Sequence, residues 1–151
     1  MAHERTFAML KPGMLQRRIV GEIITRLEKK GLRILGLKLM NISKELASQH
    51  YAEHQGKPFY DPLIEYMTSG PVVAMVLAGE HATHQLRKVC GPTNPDEASP
   101  GTIRGDYSEK TNRNVIHASD SPESAAREIN LFFKPEEIID YEDEHAKWIY
   151  T

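Results

Sequence analysis

The sequence predicts an α/β sandwich of the split βαβ kind, in which a small sheet is covered by helices. Segments patterned as strands and helices follow the order strand, helix, strand, helices, strand, helix, strand, helix, which suits such a sandwich. The run from Val72 to Ala78 is apolar throughout, the signature of a strand buried on both faces. A chain of 151 residues, 40% of them hydrophobic, can bury one sizeable core. No heptad, repeat or shift in composition interrupts it, so the expectation is one domain over residues 1–151.

The elements follow in order. Arg5 to Lys11 carries Phe7, Met9 and Leu10 and reads as a strand closed by Lys11-Pro12-Gly13, which leaves a positive charge at a strand end. From Val20, the apolar positions Ile23, Ile24 and Leu27 recur at helical spacing, and Gly31 supplies the stop. Leu32 to Met40 is a second strand broken only by Gly36, after which Ser43 is placed to cap a helix running toward Tyr51. Beyond the break at Gly56-Lys57-Pro58, Asp61-Pro62 is expected to open a short helix in the way that Ser121-Pro122 opens a later one, and Gly70-Pro71 to end it.

A helix is expected over His81 to Cys90, followed by Gly91 to Asn112, which is rich in Pro, Thr, Asn, Ser and Gly and lacks apolar periodicity. Connections beyond about 12–15 residues are uncommon in compact domains and are usually functional or disordered. This one carries Thr93 and Arg104, with Arg113 just beyond it. The segment after Phe133 ends in Trp148-Ile149-Tyr150, an apolar cluster too large to leave loose in water and expected to dock, on another subunit for example.

Charge and cysteine content narrow the function. The formal charge of −2 creates no global field for nucleic acid, so no dedicated nucleic-acid binding is expected and any phosphate recognition must come from locally gathered Lys and Arg. No apolar run reaches the length needed to span a bilayer, and Cys90 has no partner for a disulfide within the chain. The expectation is a soluble, cytoplasmic protein.

The most informative stretch is Asn114-Val115-Ile116-His117-Ala118-Ser119-Asp120-Ser121, where an apolar run ends on a histidine just before a helix. Ser121 suits the N-cap, Pro122 the first helical position and Glu123 the positive end of the helix dipole. Backbone N–H groups there suit an anion beside the ring. A neutral imidazole can attack phosphorus at pH 7 without a general base, because its unperturbed pKa is about 6.5.

Glu128 falls about two turns into the following helix, where a carboxylate would fix the tautomer of the ring, and Ser119 either bridges Glu128 and the transferred group or helps to cap the helix. Phosphoryl transfer also needs cations around the equatorial oxygens; Lys11, Arg87, Arg104 and Arg113 are the candidates. Gly56-Lys57 is followed by Pro58, so the P-loop pattern is absent. His81 with His84, and His50 with His54, have spacings that fit one helix face, but neither pair has the further ligands of a metal site.

Together these residues closely resemble the nucleoside diphosphate kinase family over Glu4 to Tyr150. The motif Asn114-Val115-Ile116-His117-Ala118-Ser119-Asp120 is accompanied by Arg5-Thr6-Phe7, His50-Tyr51, Lys57-Pro58-Phe59, Gly70-Pro71-Val72 and Pro100-Gly101-Thr102-Ile103-Arg104-Gly105-Asp106. The resemblance implies a ferredoxin-like fold with a four-stranded antiparallel sheet. It also implies transfer of the γ-phosphoryl group from nucleoside triphosphates to nucleoside diphosphates of any base through phosphohistidine, with Mg2+ on the phosphates.

By the same resemblance, His117 is the nucleophile, supported by Glu128 and Ser119. Lys11, Tyr51, Arg87, Thr93, Arg104 and Asn114 contact phosphates or ribose, Phe59 stacks on the base, and Asp120 reaches the magnesium directly or through water. The family forms hexamers or tetramers, and the long ending resembles the hexamer-forming kind, in which Gly91 to Asn112 lines both the nucleotide site and the threefold contact.

Four positions depart from the family pattern. Gly13-Met14 stands where Asp-Gly is usual, Ala118 replaces a frequent glycine, and Thr111 stands where a larger apolar residue covers the other face of the base. The expectation is weaker nucleotide binding with the chemistry at His117 intact.

Overall fold

In the computed structural model, which describes residues 3–150, the four expected strands form one antiparallel sheet in the order β2-β3-β1-β4. They are β1 (Glu4–Leu10), β2 (Arg33–Met40), β3 (Val72–Gly79) and β4 (Ile116–Ala118). Around them lie α1 (Met14–Arg17), α2 (Val20–Lys29), α3 (Lys44–His50), α4 (Tyr60–Met67), α5 (Ala82–Cys90), α6 (Ile103–Tyr107), α7 (Pro122–Phe132) and α8 (Ala146–Ile149). This is the ferredoxin-like arrangement.

The period-2 alternation of strand side chains divides the interior into two cores. Phe7, Met9, Val72, Ala74 and Val76 face Ala47 of α3, Ile64 and Met67 of α4, and Ile129 and Phe132 of α7. Ala8, Leu10, Val73, Met75 and Leu77 face Ile23 and Leu27 of α2, Leu86 and Cys90 of α5, and Ile103 of α6. Every residue of β3 is buried, which is why Val72 to Ala78 shows no polar alternation. β1 pairs with β3 along its whole length and meets β4 through Ala8 with Ala118, Met9 with His117 and Leu10 with Ile116. That register sets Lys11, one residue beyond β1, beside the approach to His117.

Two caps are formed as expected. Ser43 Oγ accepts from Leu46 N at 3.1 Å, and Ser121 Oγ accepts from Ser124 N at 3.1 Å. The opening of α4 differs: it begins at Tyr60, with Phe59 in the cap position and no capping side chain. Asp61 is therefore a first-turn acid favoured by the helix dipole, and Pro62 occupies a first-turn site where its missing N–H costs nothing. In β2, Gly36 marks a register shift against β3.

The stretch from Gly91 to Asn112 is more ordered than its composition suggests, since it holds α6 and a 3-10 turn at Pro95–Glu97, while a second 3-10 turn, Thr111–Arg113, begins within it. Thr102 organises it: its hydroxyl donates to Ser99 O at 2.7 Å and accepts from Gly105 N at 3.0 Å. α1 also escaped the periodicity, being one turn long; Gly13 precedes it at φ 100 and Met14 is buried. The ending docks only in part. Tyr150 donates its hydroxyl to Gly31 O at 3.3 Å, whereas Trp148 is 78% exposed.

Gly105 has no room for a side chain, because a Cβ there would lie 2.1 Å from Ser99 O. Gly105→Ala should destabilise the protein by about 1–3 kcal/mol, the range for overpacking, seen as a lower Tm in a thermal melt. An unchanged Tm would show that the 91–112 segment is free to shift.

Candidate active site

His117 follows a residue held in an unusual conformation. Val115 has φ 78, and Ile116 N donates to Asn114 O at 2.8 Å across it, the i to i+2 bond of a γ-turn. A left-handed φ at a β-branched residue costs on the order of 1–3 kcal/mol and persists only where the surroundings over-determine it. Arg104 does much of this. Its side chain is buried and donates from Nε to Asn114 O (3.3 Å), from Nη2 to Ile116 O (2.7 Å) and from Nη1 to Gly91 O (2.8 Å). Lys11 N donates to Val115 O at 2.9 Å, so the backbone on both sides of the turn is tied down.

His117 Nε2 lies 2.8 Å from Glu128 Oε1, which also accepts from the Ser119 hydroxyl at 2.6 Å. Glu128 is brought there by α7, whose start is set by Ser121, and both Glu128 and Ser119 are buried. Burial pushes the Glu128 carboxyl up, but the hydrogen bond and charge of His117 and the Ser119 hydroxyl outweigh it and hold the group below the usual carboxylate range. An ionised carboxylate can only accept. The ring proton therefore belongs on Nε2, and Nδ1 keeps the lone pair.

Lys11, 9% exposed, donates from Nζ to Asn114 Oδ1 at 2.7 Å, and Asn114 Nδ2 donates to Thr93 O at 3.0 Å. Burial, with Arg104 adding to it, lowers the Lys11 ammonium to about 8. The altered turn at Gly13-Met14 thus leaves Lys11 anchored by Asn114. Arg87 Nη1 donates to Ala118 O at 3.1 Å, beside the histidine. Arg113 stacks over the Tyr66 ring at 4.5 Å.

These groups share one cleft of about 1160 Å³, lined by Lys11, Tyr51, Phe59, Arg87, Thr93, Arg104, Thr111, Arg113, Asn114, His117, Asp120 and Glu128. Of the residues selected from sequence, Ser119 alone is outside this lining, fully buried behind Glu128. Phe59 is 49% exposed at the rim, with Lys57 Nζ over its ring at 5.8 Å. Thr111 donates to Asn94 Oδ1 at 3.3 Å. Asp120 is exposed, and hydrogen bonding from Ser124, with Ser121 and Arg87 adding to it, holds its carboxyl below the ordinary range despite some desolvation.

His50 and His54 also line the cleft. Their i, i+4 spacing was visible in the sequence, but not that His50 is buried against His117, with ring centroids 4.7 Å apart. The Tyr51 hydroxyl and both His50 ring nitrogens are buried without a partner among the described residues. Burial raises the Tyr51 phenol and lowers the His50 imidazole to about 3, with the His117 ring contributing to the latter. His81 and His84 are exposed on α5 and its cap, away from this cleft.

The family model for nucleoside diphosphate kinase matches residues 4–138. Nucleoside diphosphate kinase of Carboxydothermus hydrogenoformans is 59% identical over 97% of this chain and 99% of its own length, and that of Staphylococcus epidermidis 56% identical over the same shares. Among solved structures, the halophilic nucleoside diphosphate kinase of Halobacterium salinarum in complex with CDP superposes with a TM-score of 0.96 at 49% identity, covering 99% of this chain and 100% of that one. The Encephalitozoon cuniculi enzyme gives 0.93 at 41% identity, covering 97% and 99%. With a buried carboxylate on its histidine, cations gathered in one cleft and near full-length similarity of sequence and fold, the chain belongs to the nucleoside diphosphate kinase family.

Proposed function

We propose that the kinase works by a ping-pong cycle in which His117 carries the phosphoryl group between nucleotides. The observation that supports this most is the Glu128 carboxylate on Nε2 of His117, which leaves Nδ1 as the free nucleophile. In the first half, the Nδ1 lone pair forms a bond to the γ-phosphorus of a nucleoside triphosphate while the bond to the bridging oxygen breaks. The nucleoside diphosphate leaves, and the ring proton stays on Nε2 against Glu128. In the second half, a β-phosphate oxygen of an acceptor diphosphate attacks the phosphorus and the histidine is restored. Ser119 holds Glu128 in place for both.

Lys11, Arg87 and Arg104 carry the positive charge that the transferring oxygens need. Arg104 has five N–H donors, three of them spent on carbonyls, so it combines holding the backbone with charge in the cleft. Asn114, Thr93 and Tyr51 are assigned to phosphate or ribose, and Phe59, with Thr111 opposite, to the base. A stacked base is read by its π-face, which every base has, in keeping with broad nucleotide use. A hard divalent ion that keeps most of its ligands as water and phosphate oxygens fits the exposed, ionised Asp120. Mg2+ held there and on the nucleotide would neutralise phosphate charge.

We also assign the chain to a homo-oligomer, a hexamer in preference to a tetramer. Support comes from exposed Leu37 and Leu39 on the edge strand β2 and from exposed Trp148 and Ile149, apolar surface that association would cover. A cytoplasmic site of action is in keeping with the free buried thiol of Cys90. Among the described residues no helix is long and apolar enough to cross a membrane.

Protein incubated with γ-labelled nucleoside triphosphate should form an acid-labile phosphoprotein that is discharged by any nucleoside diphosphate. His117→Asn should abolish labelling and lower kcat by more than about 10⁴-fold while still binding nucleotide. Label that passes to a protein faster than to diphosphates would instead mark a phosphocarrier. Glu128→Gln should lower kcat by about 10²-fold with a smaller change in KM, because it disturbs the ring rather than the nucleotide; an equal loss in KM would argue against that role.

The Lys11 ammonium loses its proton as pH rises through about 8. Since kcat/KM reports the free enzyme, kcat/KM should fall over that range. Lys11→Arg, which stays charged, should flatten the alkaline limb whatever its absolute rate. A limb that is unchanged in the variant would assign it to another group.

A further inference from the structure

His50 stands against His117, yet the transfer cycle gives it no task. It is 4% exposed, and neither ring nitrogen has a partner among the described residues, although a buried polar group without one carries a desolvation cost. Its imidazole is neutral, so one of those nitrogens has a free lone pair. The ring stands nearly perpendicular to that of His117, at 80°. One ligand-type atom each from His50, His117 and Glu128 lie within 4.8 Å of one another. The three residues come from the end of α3, from β4 and from α7, so three separate elements hold the cluster together.

We propose that His50, His117 and Glu128 form an inhibitory site for a borderline first-row divalent cation, zinc above all. Two imidazoles and a carboxylate are a donor set that zinc uses where one position is left open, and here all three residues line the cleft, where water can fill the fourth. Mg2+ prefers oxygen ligands and near-octahedral geometry, so it does not compete for this set. A tetrahedral ion with bonds of about 2.0–2.1 Å needs ligand atoms about 3.3 Å apart. His117 and Glu128 are already at 2.8 Å, so the adjustment falls mainly on His50. Arg127, 3.6 Å from Glu128 Oε2, and Lys11 oppose a cation here, which makes the site reversible and regulatory rather than structural.

Occupation stops the reaction whichever nitrogen of His117 the ion takes. A neutral imidazole has one N–H and one lone pair. Donating that pair to a metal leaves the other nitrogen protonated and unable to attack phosphorus. The inhibition rests on His117 being the nucleophile; the binding does not.

Zinc is titrated calorimetrically into nucleotide-free protein at neutral pH. The expected result is one ion per chain at this cluster, with affinity reduced about tenfold or more in both H50Q and H117N; unchanged affinity in either overturns the site. Because H50Q alters a packed position, cobalt(II) in the unsubstituted protein provides a second readout. Hyperfine-shifted imidazole N–H signals from two histidines, lost in H117N, support the site, whereas signals from one, or signals that survive H117N, overturn it. Protein preloaded with zinc and freed of excess should then fail to label from magnesium and γ-labelled ATP, while H50Q treated alike labels as it does without zinc. Full labelling of the zinc-loaded protein overturns the inhibitory role. Failure of zinc-free protein to label overturns the phosphohistidine cycle instead and leaves the binding result to be judged by itself.

Discussion

The Arg104 guanidinium is the interaction on which the site depends. A planar group with several fixed donors can hold backbone segments that do not hydrogen-bond to one another, and here it joins the residue after α5 to the turn that enters β4. Without it, the carbonyls on both sides of the left-handed Val115 would lose the guanidinium that holds them, and His117 is two residues further on. The short strand β4, with three residues and β1 as its paired neighbour, has little ladder of its own. Order in the 91–112 segment and the aim of the histidine are consequently one property.

Dryness is the second constraint. Glu128, Ser119, His50 and Lys11 are all buried beside a cleft open to solvent, and low dielectric strengthens every charge interaction among them. The effects differ in direction. Glu128 stays ionised because its acceptor role is filled twice over; His50 stays neutral because burial, with the His117 ring adding to it, disfavours its charge; Lys11 is poised between, held by an amide oxygen that offers no counter-charge. An arriving phosphate would supply that charge, so the site is built to gain more from the ligand than its resting hydrogen bonds return.

Much of this was legible in the residues. Strand and helix order, the caps at Ser43 and Ser121, and the apolar run of β3 follow from local chemistry, which acts over a few residues. What was hidden depends on burial, which local pattern does not report. α6 is too short to show periodicity, Asp61 has the composition of a cap without the position, and Arg104 reads as one more surface cation until its three carbonyl partners are seen. His50 is the sharpest case: its sequence spacing points to His54, whereas its ring packs on His117, a residue reached only through the sheet.

Cys90 draws a last consequence from the same packing. Its thiol is wholly buried at the end of α5, and burial pushes it up to about 11 even though Arg104 and Arg87 pull the other way. Thiolate is the form that oxidants attack, and at neutral pH almost none is present. Peroxide therefore reaches the sulfur of the chain's sole cysteine only if the core beneath the guanidinium opens.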